Sequence, residues 1–226
     1  MSTIHTRAAL DEGLAQLQKD LRTLGSLVDL AIERSVGALQ RLDHELAETV
    51  VAEDQAINTL RFGIEDRAIL LIATQQPIAR DLREVIATIH AAVELERIGD
   101  YGAGIAKIVL RHGDQPLLKP LIDIPRMTTL CRDMLRAALD AFLSRDAEMA
   151  HKVAARDDDI DQLYEQIYRE LLTFMLNDPR TIDRATWLLW VAHNLERIGD
   201  RVQNICERTI YEVTGVMREF SSPTAH

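Results

Sequence analysis

A repeated hexapeptide places pairs of carboxylates one helical turn apart. The sequence Leu-Glu-Arg-Ile-Gly-Asp occurs at residues 95–100 and again, unchanged, at residues 195–200. In a helix, the glutamate and the aspartate of each copy share one face, where two like charges repel by about 0.2–0.5 kcal/mol. Carboxylate oxygens are the ligands that hard cations prefer. The repeat therefore indicates a metal-binding surface, and its first four candidate ligands are Glu96, Asp100, Glu196 and Asp200.

The helix before the second hexapeptide supplies more oxygen ligands. Helices on either side of a tight break run antiparallel, so residues equally distant from the break lie at the same height. Counted from the second break, Asp157 is level with Asp200, and Asp161 is level with Glu196. The Glu-x-x-His pair of ferritin-like di-iron proteins is absent, although His193, three residues before Glu196, can add a nitrogen to this face.

The first half of the chain repeats this arrangement in a weaker form. Asp54 and Asn58 correspond to Asp157 and Asp161 at an offset of 103 residues. By the same count they bracket the height of Glu96. The first set therefore has an amide where the second set has a carboxylate.

An ordinary solvated helix face is the alternative interpretation of these acids. Arg97 and Arg197 directly follow the two glutamates and can neutralise them without any metal. The mid-helix glycines Gly99 and Gly199 each cost about 0.5–1 kcal/mol relative to alanine. Their position in register indicates close approach of a neighbouring helix.

The composition predicts an all-α fold. The chain has only 10 glycines, 6 prolines and 4% aromatic residues, whereas strands favour aromatic and β-branched residues. Apolar residues recur at spacings of three, four and seven, which is the helical pattern. The predicted helices are Leu10–Leu42, Glu45–Thr74, Ile78–Arg111, about Arg126–Ser144, Asp146–Leu176 and Thr181–Thr214.

The same order of elements occurs twice. Each half reads as helix, helix, a break at a proline and a long helix, with the breaks at Pro77 and Pro179. We therefore predict two tandem three-helix bundles, at residues 1–115 and 116–226. Units of about 100 residues are a sensible size for such bundles.

Charge and hydropathy exclude several classes of protein. The 226-residue chain has a formal net charge of −10, so it is a poor general nucleic-acid binder. The sequence contains no apolar run near the 18–20 residues of a membrane span and no apolar core of a secretion signal. Cys131 and Cys206 are too few for a disulfide framework. These features predict a cytoplasmic protein.

The repeated hexapeptide and the segment Gln76–Arg83 together resemble the PhoU family. The resemblance covers about residues 10–215. It implies a cytoplasmic, homodimeric negative regulator of phosphate uptake that is not an enzyme and that reaches the membrane only through partners. The implied partners are a Pst transporter with its PstB-type ATPase and a PhoR-type sensor histidine kinase. It further implies multinuclear iron or zinc on the surface, with the metal ligands Glu96, Asp100, Glu196, Asp200, Asp157, Asp161 and Asp54.

The first repeat departs from the family pattern. It has Asn58, Gly104 and Lys107 where the second repeat has Asp161, Asn204 and Glu207. We therefore expect a weakened first site and a fuller second one. Two other functions remain open from the sequence: a metal-dependent hydrolase or oxidase built on the carboxylates, and a purely structural interaction module.

Overall fold

Seven α-helices and one short 3-10 turn make up the regular structure of the described residues. The structure is a computed structural model and describes residues 2–113, 115–216 and 220, with side chains from residue 7 onward. These residues contain no strand, so the predicted all-α fold is confirmed. The helices are α1 Ser2–Arg41, α2 His44–Gln75, α3 Ala79–His112, α4 Asp123–Ser144, α5 Ala147–Ala154, α6 Asp157–Asn177 and α7 Ile182–Thr214, and the 3-10 turn Pro179–Thr181 precedes α7.

Side chains and special backbone conformations fix the ends of these helices. Asp43 and Asp146 accept hydrogen bonds from the third backbone N–H of α2 and of α5, each at 2.9 Å, which is the usual N-cap arrangement. Gly215 ends α7 at φ 73°, a left-handed conformation that glycine adopts at little cost.

The predicted fifth helix, Asp146–Leu176, is wrong as a single element. The chain turns at Ala155 and Arg156, which separates the eight-residue α5 from α6. Arg156 N bonds to Val153 O at 3.0 Å, a tight three-residue turn in place of the α-helical bond. Three successive aspartates then occupy the first turn of α6, where the positive end of the helix dipole stabilises negative charge. The first helix also begins earlier than predicted, at Ser2.

The long helices α3 and α7 form the centre of the molecule. They pack against each other, with α1 and α2 on α3 and with α4, α5 and α6 on α7. Leu95 and Leu195, equivalent in the repeat, are both fully buried there. The two predicted units are thus joined through their last helices, and the second unit has four helices where three are predicted.

The predicted unit boundary at residues 115 and 116 falls in the connection between α3 and α4. Residue 114 lies outside the described residues, as do residues 217–219 and 221–226 of the predicted second unit. Among the described helices, none combines the length and the apolar character needed to cross a bilayer.

Candidate functional site

A cluster of four acids lies between α6 and α7, and a glycine makes room for it. A Cβ atom at Gly199 would lie 2.5 Å from Asp157 Oδ1 and 2.8 Å from Ile160 Cδ1. No real side chain tolerates such contacts, so the glycine allows the Asp157 carboxylate to lie directly against the backbone of α7. We call Asp157, Asp161, Glu196 and Asp200 the second cluster.

Burial and mutual repulsion raise the pKa values in the second cluster. Asp157 is only 4% exposed, and burial, followed by the charges of Asp161, Asp200 and Glu196, raises its pKa to about 7. Burial and then Asp200 raise the pKa of Glu196 to about 7 as well. The pKa of Asp161 is raised by burial and by Asp200. The structure therefore brings together the four acids that the helix count places at equal heights.

Few polar contacts within the described residues satisfy the second cluster. Asp157 forms no hydrogen bond or ion pair there, and the buried Oε2 of Glu196 accepts no hydrogen bond. That oxygen lies 3.4 Å from Nδ1 of His193. Asp200 pairs with Arg197 at 2.7 Å. Asp157 is buried and the other three acids are half-buried, so a single arginine leaves much of their negative charge uncompensated.

Tyr164 and Tyr101 complete the surroundings of the second cluster. The ring of Tyr164 on α6 lies 6.2 Å from that of His193, measured between centroids. Arg197 also lies beside the side chain of Tyr101 on α3, which raises the pKa of the guanidinium. The arginine that neutralises Asp200 therefore also contacts the first repeat.

The first cluster, Asp54, Glu96 and Asp100, lies between α2 and α3. Burial and the neighbouring Asp100 raise the pKa of Glu96, while Arg61 opposes this shift. Burial and then Asp54 raise the pKa of Asp100, against the effect of Lys107. The first cluster is thus a second group of close acids, but one with more cations around it.

Asn58 satisfies part of the first cluster. Its Nδ2 donates to Asp54 Oδ2 at 3.2 Å. The other oxygen, Asp54 Oδ1, is buried with no hydrogen-bond partner among the described residues. Asn58 stands where the second cluster has Asp161, so the first cluster carries one negative charge fewer. Its amide also occupies Oδ2 of Asp54, an oxygen that a cation would otherwise contact.

The donor set of both clusters suits a cation, but no complete coordination shell is present. Each cluster has a buried carboxylate oxygen without a hydrogen-bond partner among the described residues. A hard or borderline cation would coordinate such oxygens. In the described part of the chain, however, no three His, Cys, Asp or Glu side chains are arranged around one point for coordination. Carboxylates without a counter-ion repel, and Arg197 holds Asp200 in an ion pair. Side-chain rearrangement would be needed to form a shell, and the metal role of the seven acids stays a prediction.

Sequence reasoning missed one pair of site residues. Arg61 on α2 lies beside Glu96, while its equivalent at the offset of 103 residues is Tyr164, beside Glu196. Extending the same offset beyond Asp54 and Asn58 would have found this difference.

A cleft of about 530 Å³ separates α4 from α6, and no residue of either cluster lines it. Its polar lining includes Arg126, Asp133 and Asp159.

The thiols of Cys131 and Cys206 are not placed to act as nucleophiles. Both are fully buried, and burial raises the pKa of Cys206 to about 12. A buried, protonated thiol is a poor nucleophile.

Comparison with known proteins decides the family. A family model described as the PhoU domain matches two segments, residues 21–109 and 124–209. The chain belongs to the PhoU family. Its two matched segments correspond to the two repeats recognised from the hexapeptides.

Relatives in the PhoU family match over nearly their whole length. A Caulobacter vibrioides protein is 40% identical over 215 residues, which cover 94% of this chain and 93% of the relative. A Clostridium acetobutylicum protein is 37% identical over 211 residues, or 93% and 96% of the two chains. Both are named phosphate-specific transport system accessory protein PhoU homologs.

Solved PhoU structures share the fold. The phosphate transport system regulatory protein PhoU from Streptococcus pneumoniae superimposes with a TM-score of 0.87 at 34% identity, covering 93% of this chain and all of the other. PhoU from Pseudomonas aeruginosa also gives 0.87, at 33% identity, over 91% of this chain and 99% of the other. The tandem helical architecture is therefore the PhoU fold.

Proposed function

We propose that this protein is an accessory regulator of phosphate transport that represses uptake and the phosphate-starvation response. The observation that carries the proposal is its similarity, over more than nine-tenths of both chains, to proteins named as phosphate-specific transport accessory proteins. It acts in the cytoplasm as an adaptor between a Pst-type transporter, through its PstB-type ATPase, and a PhoR-type sensor histidine kinase. It meets the membrane only through these partners and works as a homodimer.

The repeated architecture supports an adaptor rather than an enzyme. An adaptor needs at least two docking surfaces, and the two repeats supply two related helical faces joined by α3 and α7. The acid clusters do not line the cleft between α4 and α6, so substrate bound in that cleft would not meet them. We infer that the protein regulates by binding and catalyses no reaction.

The second cluster is the proposed cation site. The buried Asp157, and the Oε2 of Glu196 that has no hydrogen-bond partner among the described residues, support binding of iron or zinc there, with Asp161 and Asp200 as further oxygen ligands. The first cluster has one carboxylate fewer and Arg61 beside it, so we propose that it binds a cation weakly or not at all. When bound, the cation would supply the positive charge that the four acids lack.

Alkaline phosphatase activity at high phosphate tests the regulatory role. We expect high activity in the source bacterium after deletion of this chain, and low activity after complementation with the wild type. Low activity in the deletion strain would contradict the proposed repression. Co-purification of a tagged wild-type chain with the sensor kinase and with the transporter ATPase tests the adaptor role, and neither partner in the eluate would contradict it.

Two matched variants separate the clusters. One carries Asp157→Asn, Glu196→Gln and Asp200→Asn, and the other carries the equivalent changes at Asp54, Glu96 and Asp100. We expect only the first variant to lose zinc, measured as metal bound per chain after dialysis. Equal zinc content in both variants would contradict the proposed difference between the clusters. Size-exclusion chromatography with light scattering checks the homodimer in the same samples.

A further inference from the structure

Five large apolar side chains are exposed on the hairpin formed by α6 and α7. Each of them is between 40% and 75% exposed. Three follow one another at single-turn spacing along α6, so they share one side of that helix, and the other two lie in the first three turns of α7. Contiguous exposed apolar surface is typical of interaction sites. We call this set the apolar face: Tyr168, Leu172, Leu176, Ile182 and Trp190.

The apolar face begins where the second cluster ends. Tyr164 is one turn before Tyr168 on α6, and its ring lies 6.2 Å from that of His193, which is one turn after Trp190 on α7. Burial and then the charge of Glu196 raise the pKa of Tyr164. One continuous surface therefore leads from the carboxylates of the second cluster, across a tyrosine, to exposed apolar side chains.

Aromatic residues distinguish this surface from its counterpart in the first repeat. The whole chain has only 4 tyrosines and 2 tryptophans, and three of these six residues lie here. Tyrosine and tryptophan are enriched among the residues that dominate the binding energy of protein interfaces. Where the second repeat has Tyr164, Tyr168 and Trp190, the first has Arg61, Glu65 and His90.

The surroundings of the apolar face are strongly negative. Residues 157–200 contain ten acids and four arginines, whereas the equivalent residues 54–100 contain eight acids and five arginines. Three of the four arginines are already paired with acids of their own hairpin. These pairs are Arg169 with Glu165, Arg180 with Asp178 and Arg197 with Asp200. The excess of negative charge would persist with one divalent cation bound to the second cluster.

Apolar surface and negative charge together select the occupant. Nucleic acids and anionic lipid surfaces are repelled by an acidic face. A second copy of this chain, placed symmetrically on the same face, would bring two sets of acids together. A segment with both apolar side chains and arginines satisfies both features, because guanidinium groups pair with carboxylates and also stack on tyrosine and tryptophan rings.

The ends of the described chain pack elsewhere. Arg7 pairs with Asp81 in the first turn of α3, which lies beside the end of α7 because the two long helices run antiparallel. The backbone N–H of Phe220 donates to Glu207, about 25 Å along α7 from Trp190. The described chain itself therefore supplies no occupant for the apolar face.

We propose that the apolar face docks an arginine-bearing amphipathic helix of a partner protein. Apolar side chains of that helix pack on Leu172, Leu176 and Trp190, and its guanidinium groups lie over the tyrosine rings and against the neighbouring acids. The proposal rests on the adaptor role proposed above, because it names the docking face and the chemistry of the segment that one of the two partners contributes.

Binding of the purified full-length protein to each proposed partner tests the docking face. The partners are the purified transporter ATPase and the purified sensor kinase, and biolayer interferometry gives the two Kd values. We expect the double variant Tyr168→Ala, Trp190→Ala to bind one partner at least about tenfold more weakly than the wild type does. The matched control, Glu65→Ala with His90→Ala, changes the equivalent positions of the first repeat and should alter the Kd by less than about twofold.

Two substitutions at Leu176 test the charge of the docked segment. Leu176 is 75% exposed, so Leu176→Glu and Leu176→Arg should both fold, as checked by circular dichroism. Both remove the same apolar contact, but only the arginine repels a basic segment. We expect Leu176→Arg to bind at least about threefold more weakly than Leu176→Glu, with a smaller difference at high salt. Equal binding by the two variants, or weaker binding by Leu176→Glu, would overturn the arginine-bearing segment.

The outcomes separate this proposal from the adaptor role. If the wild type binds neither partner, the adaptor role is overturned together with this proposal. If the wild type binds a partner and the double variant Tyr168→Ala, Trp190→Ala binds it equally well, only the docking face is overturned. Light scattering of the same variant tests the remaining occupant, because a change from dimer to monomer would show that a second copy covers this face and would overturn the proposal.

Discussion

The amide of Asn204 on α7 donates a hydrogen bond of 3.2 Å to the carboxylate of Glu94 on α3, across the junction of the two repeats. The equivalent residues on the other side of the junction are Asn194 on α7 and Gly104 on α3. A Cβ at Gly104 would lie 3.5 Å from Asn194 Oδ1, so these residues also face each other. The two long helices thus cross with approximate twofold symmetry, but only one of the two related contacts is a hydrogen bond.

A double-mutant cycle at Glu94 and Asn204 measures the value of this contact. We expect a coupling free energy of about 1 kcal/mol in the free energy of unfolding, because one partner is charged and both are half-buried. Urea denaturation of Glu94→Ala, Asn204→Ala and the double variant gives the number. Asn194→Ala is the matched control and should change stability by less than about 0.5 kcal/mol. A coupling near zero would show that this hydrogen bond adds nothing to the stability of the junction.

The glycines of the two hexapeptides should respond differently to alanine. At Gly199 an added Cβ meets Asp157 Oδ1 at 2.5 Å and Ile160 Cδ1 at 2.8 Å, while at Gly99 its nearest neighbours are the Cδ1 and Cγ2 methyls of Ile57 at 3.0 and 3.1 Å. Alanine gains about 1 kcal/mol of helix propensity at either position, and overpacking costs about 1–3 kcal/mol where neighbours cannot move. We expect Gly199→Ala to lower the free energy of unfolding by about 1 kcal/mol and Gly99→Ala to be nearly neutral. Thermal unfolding of both variants checks the order, and a greater loss for Gly99→Ala would contradict it.

The sequence predicts the repeat, the helices and the meeting of the acids because each depends on local period and spacing. Asp157 lies near Asp200 because both are nearly the same number of residues from the turn between α6 and α7. That number can be counted in the sequence once the repeat has located the turn. The break between α5 and α6 was not predictable in this way, because neither glycine nor proline occurs at Ala155 and Arg156. The equivalent stretch of α2 is continuous, so the repeat itself favoured the wrong interpretation.

Contacts between distant helices were also beyond sequence reasoning. Arg145 ends α4 in a left-handed conformation at φ 56°, and its guanidinium bonds to Glu84 on α3 and to Glu212 on α7. No periodicity connects residues more than 60 positions apart, and arginine at a left-handed cap is unusual. Only the packed structure shows that one arginine neutralises two acids that are each 3% exposed.

Loss of Arg145 should therefore be among the most destabilising single changes. Arg145→Ala leaves two buried carboxylates without their cation, which costs about 3–5 kcal/mol. Arg145→Gly should cost about 1 kcal/mol less, because glycine relieves the left-handed backbone. The control is Arg169→Ala, whose partner Glu165 is exposed and whose loss should cost under about 1 kcal/mol. Urea denaturation at pH 7 checks the series, and equal effects of Arg145→Ala and Arg169→Ala would contradict it.

The second cluster should make the metal-free protein less stable as pH rises. The folded-state pKa values of Asp157 and Glu196, about 7, exceed the values near 4 of the unfolded chain. The folded state therefore binds more protons between pH 4 and 7, and the stability gained from them is lost as pH rises through 7. His90 and His193 act in the opposite sense, because burial lowers their pKa values.

Comparison with Asp157→Asn isolates the carboxylate contribution. We expect the free energy of unfolding of the wild type, relative to this variant, to fall by about 2 kcal/mol between pH 5 and pH 8. Urea denaturation in metal-free buffer measures it. The histidines are common to both chains, so their effects cancel in the difference. Since a bound cation would replace the protons, added Zn²⁺ should restore the wild type at pH 8 and leave Asp157→Asn less affected. A difference that is constant with pH would show that the acids of this cluster are ionised independently of one another and of their burial.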